Sequence, residues 1–386
     1  MRLRTLPIFL AFLAMGFGDA VGPFVGLARE EFQLSNAVAS LIPFVGFSMF
    51  GLLSVPVGVL QDRRGKKFVL MLGLLVALTG LMNASFGLTT FFRFLVTILL
   101  LGAGAAILQV AGNPIMRDVS EPGRFARNLT LGQFVKALGS LSGAVIPVVA
   151  ARYFGAGWGV IFPVYACAIA LTVVAVGALR VTEQKPDRPA ATLASCLALL
   201  KNPYVLSMVA AIFLYVGAEV SVSAGIPLLL KDRFDIDISR VGLLGTGLFF
   251  TALTIGRFSG SVILTWMAPR RFLVVTCLLS LAGLAGLVLP SSALALASFF
   301  VAGLGFANIF PLVFSIAVER IPSHTNELSG LMVTAIVGGA FLPPLMGALA
   351  DRTSVQLGFL VPTAAIAYIT WVAFVNLSAP AGADHA

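Results

Sequence analysis

The chain has 386 residues, of which 59% are hydrophobic and only 11% are charged. A soluble domain is about half apolar and about a quarter charged, so this composition excludes an ordinary soluble enzyme. The mean hydropathy of +1.02 predicts several membrane-spanning helices. The net charge is +9, and the basic residues that produce it lie in short loops between apolar stretches. They therefore indicate the orientation of a membrane protein and not a surface that binds nucleic acid.

Apolar runs broken at charged or Pro/Gly clusters predict twelve membrane-spanning helices, because one crossing needs roughly 20 apolar residues. The first run is too long for a signal peptide and lacks a cleavage site, so we predict it to be the first span. The predicted spans are 5–28, 36–60, 68–88, 92–114, 127–151, 157–180, 204–230, 240–264, 271–290, 293–318, 328–350 and 356–377.

One long loop divides these spans into two sets of six. We expect a bundle at 1–180, a cytoplasmic central loop at 181–203 with a short helix at 196–200, a second bundle at 204–377 and a cytoplasmic tail at 378–386. The N-terminus and the even-numbered loops hold most of the 25 Lys and Arg residues, which places both termini in the cytoplasm.

The two halves resemble each other at an offset of about 200 residues, as parallel repeats of a transporter do. Gly18-Asp19 in the first span corresponds to Ala218-Glu219 in the seventh. The sequence therefore predicts an all-α membrane protein made of two pseudo-symmetric six-helix bundles. Such repeats place a substrate site near the bilayer midplane between the bundles.

Cys167, Cys196 and Cys277 are far apart in the sequence and form no metal-binding or disulfide pattern. We predict that all three are packing residues. We expect no metal site and no cofactor.

The loop between spans two and three has the sequence GVLQDRRGKK at residues 58–67. It resembles the G-x-x-x-D-R-x-G-R-K signature of the major facilitator superfamily. The resemblance implies the major facilitator fold and a conformational role for five residues of this loop. These are Gly58, Asp62, Arg63, Gly65 and Lys66.

Residues 19–23, 109–114, 133–139, 215–219 and 338–344 give a narrower resemblance, to the fucose:proton symporter branch that includes bacterial glucose/galactose transporters. It implies monosaccharide uptake coupled to a proton or Na⁺, by a monomer in a bacterial inner membrane. Two positions depart from that branch. Gln109 stands where fucose symporters have a proton-coupling Glu, and Lys136 stands where they have a sugar-contacting Asn.

Four ionisable residues lie within predicted spans: Asp19, Lys136, Glu219 and Arg257. Each costs about 2.5–3.5 kcal/mol at a helix centre, so such residues face a cavity or pair with one another. Asp19 and Glu219 lie at similar depths, one in each half. They could bind a cation, shuttle a proton, accept hydrogen bonds from sugar hydroxyls, or serve as structural partners.

Lys136 is the most unusual of the four, and Asp19 is its predicted partner. Three functional roles are open: it replaces a cation beside Asp19, it carries the coupling proton, or it recognises a substrate carboxylate or phosphate. A structural salt bridge is the fourth alternative. Arg257 lies near the predicted cytoplasmic end of span eight, where we expect it to snorkel or to form an interdomain gate.

Several polar residues are candidates for substrate recognition. Gln109 and Asn113 share one face of span four, and Gln133 shares a face of span five with Lys136. Tyr215 shares a face of span seven with Glu219, and Asn308 lies in span ten. Interhelical hydrogen bonding would explain the amides equally well, and ordinary packing would explain Tyr215.

The sequence lacks serine-hydrolase, zinc-protease and phosphate-binding-loop motifs, so an intramembrane enzyme is disfavoured. Single unlike charges in a pseudo-twofold chain also disfavour a channel. A non-transporting receptor remains an alternative. We therefore expect a secondary active transporter that works by alternating access. Its substrate is a monosaccharide, or alternatively an organic anion, a sugar acid or an exported amphipathic compound that uses Lys136 as its charge partner.

Overall fold

The computed structural model describes residues 5–19, 28, 31–34, 38, 41–87, 90–181, 183, 191–235, 238–288 and 290–378. The side chains of Asp19, Pro43, Ala144, Val148, Pro227, Val288, Ser378 and residues 238–246 lie outside this description. The described residues form helices joined by short turns, with no strand among them. Nine helical segments within these ranges are long and apolar enough to cross a bilayer, and Leu6–Gly18 and Gly247–Ile263 are shorter apolar helices.

The helices of the first part of the chain follow predicted spans two to six closely, whereas residues 20–27 of the first predicted span lie outside the described residues. They are α1 (Leu6–Asp19), α2 (Leu41–Arg64), α3 (Lys66–Ser85), α4 (Phe91–Val119), α5 (Phe125–Phe154), α6 (Ile161–Ala178, after a 3₁₀ turn at Trp158–Val160) and the short α7 (Leu193–Leu199).

The second part begins with the longest helix. Its helices are α8 (Pro203–Phe234), α9 (Ile238–Ile263), α10 (Pro269–Ala285), α11 (Ser292–Phe306), α12 (Ile309–Arg320), α13 (Thr325–Thr334), α14 (Gly338–Arg352), α15 (Val355–Gly358) and α16 (Leu360–Ser378).

Some predicted boundaries were wrong, each for a local reason. The helix α4 continues past Pro114 to Val119, because a membrane helix tolerates one missing backbone bond when neighbouring groups compensate. Span ten is broken between α11 and α12, where Pro311 has no N–H to donate to the carbonyl of Ala307. Span eleven is broken by a 3₁₀ turn at Ala335–Val337. The central-loop helix runs over Leu193–Leu199 instead of 196–200.

The contacts between helices divide the chain into two compact units. The first comprises Met1–Phe125, Gly132–Ala198 and Ser323–Thr334, and the second comprises Ala126–Leu131, Leu199–Pro322 and Ala335–Ala386. Within the first unit α2 and α3 pack on α4, and α1 and α3 pack on α6. The second unit repeats this pattern, since α9 and α10 pack on α11, and α8 and α10 pack on α16. The repeat seen in the sequence therefore extends to the internal packing of each unit.

The helices expose large apolar side chains as lipid-facing helices do, and Phe92, Leu171 and Val174 are each more than 70% exposed. Cys196 and Cys277 are buried, as the packing role predicted, but Cys167 is exposed on α6. In an apolar helix that faces lipid, a cysteine can point outward at little cost, so the prediction for Cys167 was wrong.

Candidate functional site

The first unit contains a cluster of buried polar side chains that we call the amide cluster: Gln109 and Asn113 on α4, and Gln133 and Lys136 on α5. Each of the four is at most 9% exposed. Their spacing puts each pair on one helix face. The Nζ atom of Lys136 donates a hydrogen bond to Oε1 of Gln109 at 2.9 Å, which joins the two helices.

Much of the hydrogen-bonding capacity of the amide cluster is unused. Both Nδ2 and Oδ1 of Asn113, and Nε2 of Gln133, are buried without a hydrogen-bond partner among the described residues. An unsatisfied buried polar group costs about 1–3 kcal/mol, and native proteins contain few of them. Amides offer both donors and acceptors, which is what a ligand with several hydroxyl groups requires.

The helix α1 approaches α5 closely beside Lys136. A Cβ atom at Gly16 would collide with the backbone oxygen of Lys136, so only glycine permits this approach. Asp19 lies one helical turn after Gly16 and is the last residue of α1. Its side chain lies outside the described residues, so the pairing of Asp19 with Lys136 stays a prediction.

An aromatic contact that the sequence did not reveal fixes α1 against α6. The rings of Phe17 and Tyr165 stack with centroids 3.8 Å apart and an interplanar angle of 9°. The hydroxyl of Tyr165 shares a hydrogen bond of 2.8 Å with Ser142 on α5. These contacts join α1, α5 and α6 to one another.

The second unit contains a different cluster, the Glu219 cluster, made of Tyr215 and Glu219 on α8, Arg257 on α9 and Asn308 at the break between α11 and α12. Nη2 of Arg257 lies 3.8 Å from Oε1 of Glu219, and the two side chains are 16% and 18% exposed. Glu219 and Arg257 both interact electrostatically with the Tyr215 hydroxyl. Nδ2 of Asn308 donates to the carbonyl of Gly256 at 2.9 Å.

Polar atoms of this cluster also lack partners. Oη of Tyr215, Nε of Arg257 and Oδ1 of Asn308 are buried without a hydrogen-bond partner within the described ranges. The cluster thus combines one anion and one cation with an unused donor and unused acceptors. In the same ranges, no group of three His, Cys, Asp or Glu side chains could hold a metal ion.

A third set of polar residues in the first unit, the loop cluster, contains the signature motif between α2 and α3. Its members are Gln61, Asp62, Lys66, Lys67, Asp118, Glu183, Ser195, His324, Asn326 and Glu327. Oδ2 of Asp62 accepts a hydrogen bond from the backbone N–H of Ala191 at 2.7 Å. Oδ1 accepts one from Nδ2 of Asn326 at 3.0 Å, and Oδ1 of Asn326 accepts one from Gln61 at 2.9 Å. Arg63 donates to the Ala191 carbonyl at 3.4 Å.

Lys66 begins α3 and is almost fully buried. Its Nζ atom lies 2.5 Å from Oδ2 of Asp118, and the two side chains are 4% and 0% exposed. The carboxylate of Glu183 accepts the backbone N–H groups of Lys66 at 2.6 Å and of Lys67 at 2.9 Å. Gly65 joins α2 to α3 with a φ of 93°, a left-handed conformation that glycine adopts without strain.

The start of α13 completes the loop cluster. Glu327 is fully buried and accepts a hydrogen bond from Ser195 at 2.9 Å, and its other oxygen lies 2.6 Å from Nδ1 of His324. Gly58 lets α2 approach α13, because a Cβ atom there would lie only 3.1 Å from Cα of Gly330. The loop cluster therefore links α2, α3, α4, α7 and α13.

A family model described as the Major Facilitator Superfamily matches residues 8–336. The chain belongs to the major facilitator superfamily. It is therefore a multi-pass membrane transporter, as the composition and the twelve predicted spans indicated.

Named relatives and solved structures agree with this assignment. A glucose/galactose transporter of Brucella abortus biovar 1 (strain 9-941) is 31% identical over 360 residues, which cover 90% of this chain and 87% of the relative. The L-fucose-proton symporter of Escherichia coli (strain K12) is 22% identical over 404 residues, which cover 88% and 85%. The crystal structure of FucP in the outward conformation matches with a TM-score of 0.83 at 18% identity, covering 97% of this chain and 99% of that one.

The structure brings most predicted site residues of this transporter together. Gln109, Asn113, Gln133 and Lys136 form one cluster, whereas Tyr215, Glu219 and Asn308 form another. Arg257, which was predicted as a gate residue, lies beside Glu219. Sequence reasoning missed Asp118, Glu183, His324 and Glu327. The sequence feature that could have identified them is that each is a titratable residue at or beyond the end of an apolar span.

Proposed function

We propose that this member of the superfamily moves a monosaccharide across the membrane by alternating access, coupled to the movement of a proton or another cation. The observation that supports this most directly is the amide cluster. It offers buried, uncharged hydrogen-bond donors and acceptors without partners among the described residues, beside a single ammonium group. Sugar hydroxyls match such groups, and two of the relatives are named for glucose/galactose and L-fucose transport.

We also propose the topology that the sequence predicts. Residues 1–180 and 204–377 would form two bundles in a bacterial inner membrane, with both termini, residues 181–203 and residues 378–386 in the cytoplasm. The distribution of Lys and Arg between loops supports this orientation. The working unit is proposed to be a monomer, because the repeat places both halves of a site in one chain.

In this proposal the loop cluster is the conformational element. Gly58, Asp62, Arg63, Gly65 and Lys66 hold α2 and α3 in contact with α13 and with the central loop. Alternating access requires some of these contacts to break and reform as the substrate site changes sides. The hydrogen bonds that Asp62 accepts from Ala191 and Asn326 are the proposed latch, because they join segments far apart in the sequence.

A second candidate function is transport of an organic anion or sugar acid, or export of an amphipathic compound. The observation that favours it is the buried Lys136 ammonium, which could pair with a substrate carboxylate. The ammonium also donates a hydrogen bond to the neutral amide of Gln109. The predicted contact with Asp19 would compensate the charge of Lys136 and would favour a neutral substrate instead.

The experiment that separates these functions is the melting temperature of the purified protein in detergent with D-glucose, D-galactose or the corresponding uronic acids, at about pH 6 and pH 8. A ligand at 100 times its Kd adds roughly 2.7 kcal/mol of stability. We expect the neutral sugars to stabilise wild type, Lys136→Met and the exposed control Lys201→Met, but not Asn113→Leu. Stabilisation by uronic acids alone, lost in Lys136→Met, would establish the second candidate, and no stabilisation by either class would contradict both.

A further inference from the structure

The acidic side chain at the centre of the Glu219 cluster has features that suit a coupling proton. We propose that Glu219 is the residue that takes up and releases the coupling proton during transport, and that Arg257 is its counter-ion in the deprotonated state. The inference rests on the proposed function, because it assigns a role in cation-coupled sugar movement. It places the coupling step in the second unit and not in the amide cluster.

The amide cluster supplies no carboxylate from its own four members. Gln109 is an amide, which neither gains nor loses a proton near neutral pH, and its oxygen accepts a hydrogen bond from Lys136. Asn113 and Gln133 are amides as well. Among the described side chains, Glu219 is the acidic one placed near the middle of a spanning helix, whereas Asp62 and Asp118 lie at helix ends within the loop cluster.

The geometry of the ion pair allows Glu219 to exchange protons. At 3.8 Å, Arg257 and Glu219 attract each other without a direct hydrogen bond. The two side chains keep 16% and 18% of their surface accessible, so protein atoms do not seal off the carboxylate. A tightly hydrogen-bonded, fully buried pair such as Lys66 and Asp118 lacks both properties.

The surroundings can also accommodate the protonated state. When a hydronium ion transfers its proton to a Glu219 oxygen, the new O–H group is neutral and Arg257 loses its anion. Oδ1 of Asn308 has no hydrogen-bond partner in the described part of the chain, and the hydroxyl of Tyr215 already interacts with Arg257, so both oxygen atoms can stabilise the guanidinium. Release of the proton to water on the other side restores the ion pair.

No other described charge competes for Glu219. On the elements packed against α8, the titratable residues of α12 and α14 lie in their last turns: Glu319, Arg320, Asp351 and Arg352. Tyr368 of α16 donates to the carbonyl of Ser207, about three turns before Glu219 on α8. Among the described charged groups, Arg257 is therefore the one whose ion pair is lost or formed when Glu219 gains or loses a proton.

The same arrangement argues against a sodium ion at this site. A hard cation needs several oxygen ligands at close range. Here a single carboxylate supplies the negative charge, and the guanidinium 3.8 Å away repels a second cation. A proton needs a single oxygen atom.

The test compares wild type with Glu219→Gln in proteoliposomes, using radiolabelled D-galactose. A gradient of one pH unit sustains about tenfold accumulation at one proton per sugar, because tenfold in concentration corresponds to about 1.4 kcal/mol. We expect Glu219→Gln to lose this accumulation and to keep counterflow exchange, which needs no gradient. The control Glu121→Gln removes an exposed loop carboxylate and should behave as wild type.

Several results would overturn the assignment. These are accumulation by Glu219→Gln at the wild-type level, accumulation driven by Na⁺ in place of H⁺, or loss of counterflow together with accumulation in a variant that melts like wild type. The last result would make Glu219 a substrate ligand. Loss of accumulation in Lys136→Gln but not in Glu219→Gln would transfer the role to Lys136.

A substrate-free measurement keeps the inference testable if wild type shows no galactose counterflow, which would count against the proposed function alone. The infrared difference spectrum between pH 8 and pH 5 should contain a carboxylic-acid C=O band that is present in wild type and Glu121→Gln and absent in Glu219→Gln. A spectrum in which Glu219→Gln retains every carboxylic-acid band of wild type would overturn the inference directly.

Discussion

The loop cluster and the amide cluster lie in the same unit, and both are built from buried polar side chains, but they differ in how completely those side chains are paired. In the loop cluster Asp62, Glu183 and Glu327 each accept two contacts from separate partners. In the amide cluster, Asn113 has no partner within the described residues for either polar atom. The loop cluster also contains two buried atoms without a partner in the described part of the chain, Oε1 of Gln61 and Oδ1 of Asp118. It nevertheless pairs most of its polar side chains, whereas the amide cluster leaves both polar atoms of Asn113 available.

This difference separates two reasons for placing polar groups inside a membrane protein. A satisfied network adds stability and fixes the register of the helices that it joins. An unsatisfied set lowers stability, and in the proposed function the substrate completes it. The contrast predicts opposite responses to similar substitutions, and stability and transport should therefore separate in variants of the two clusters.

The largest expected effect comes from the buried ion pair of the loop cluster. Lys66→Met leaves the fully buried carboxylate of Asp118 without its cation. Removing one partner of such a pair costs about 3–5 kcal/mol, so we expect the largest fall in melting temperature in detergent for this variant. The double variant Lys66→Met/Asp118→Leu should recover much of the loss, because replacing a whole buried pair by apolar residues is often neutral. A single variant as stable as wild type would show that the pair does not hold the loop cluster together.

A matched pair of asparagines sharpens the comparison. Asn326 is 6% exposed and bonded to both Gln61 and Asp62, whereas Asn113 is 0% exposed and unbonded among the described residues. We expect Asn326→Leu to lower stability by about 1–3 kcal/mol, because it leaves buried partners unsatisfied. Asn113→Leu should leave stability nearly unchanged or raise it, since it removes two unsatisfied atoms.

Transport should respond in the reverse direction at Asn113. We expect Asn113→Leu to lose binding and counterflow of the sugar although it melts at or above the wild-type temperature. Melting curves and counterflow in proteoliposomes, measured on the same preparations, check both halves of the prediction. If Asn113→Leu destabilised the protein as much as Asn326→Leu, Asn113 would be a structural residue and the distinction between the clusters would fail.

The sequence predicted the fold well because membrane spans have a strong and local signal. Every predicted span overlaps at least one described helix, and the differences at Pro114 and around Pro311 arise because the consequence of a proline depends on neighbouring groups. The members of the amide cluster were also predictable. Polar residues one turn apart on an apolar helix are visible in the sequence, as with Gln109 and Asn113.

The pairing of the polar residues was not predictable, because it depends on contacts between distant segments. The bond from Lys136 to Gln109 requires the packing of α5 on α4, and the approach of Arg257 to Glu219 requires that of α9 on α8. The loop cluster was predicted only at its signature motif. Asp118, Glu183, His324 and Glu327 are ordinary loop-flanking residues in the sequence, and only the fold places them next to that motif.

The smallest expected effect on stability is that of a substitution at Glu183, which lies at the edge of the loop cluster. Its carboxylate accepts the N–H groups of Lys66 and Lys67 at the N-terminus of α3, where a negative charge is favourable by about 0.3–1 kcal/mol. Glu183→Gln removes the charge and turns one oxygen into a donor, which cannot accept an N–H. We expect a loss of about 1 kcal/mol confined to the first turn of α3. It should appear as roughly fivefold faster hydrogen exchange at the amides of Lys66 and Lys67. Glu121 pairs with the exposed Arg124, so the control Glu121→Gln should leave these amides unchanged. Equal exchange rates in wild type and Glu183→Gln would mean that the central loop does not cap α3 in solution, and would leave Asp62 and Glu327 as the residues that attach this loop to the rest of the cluster.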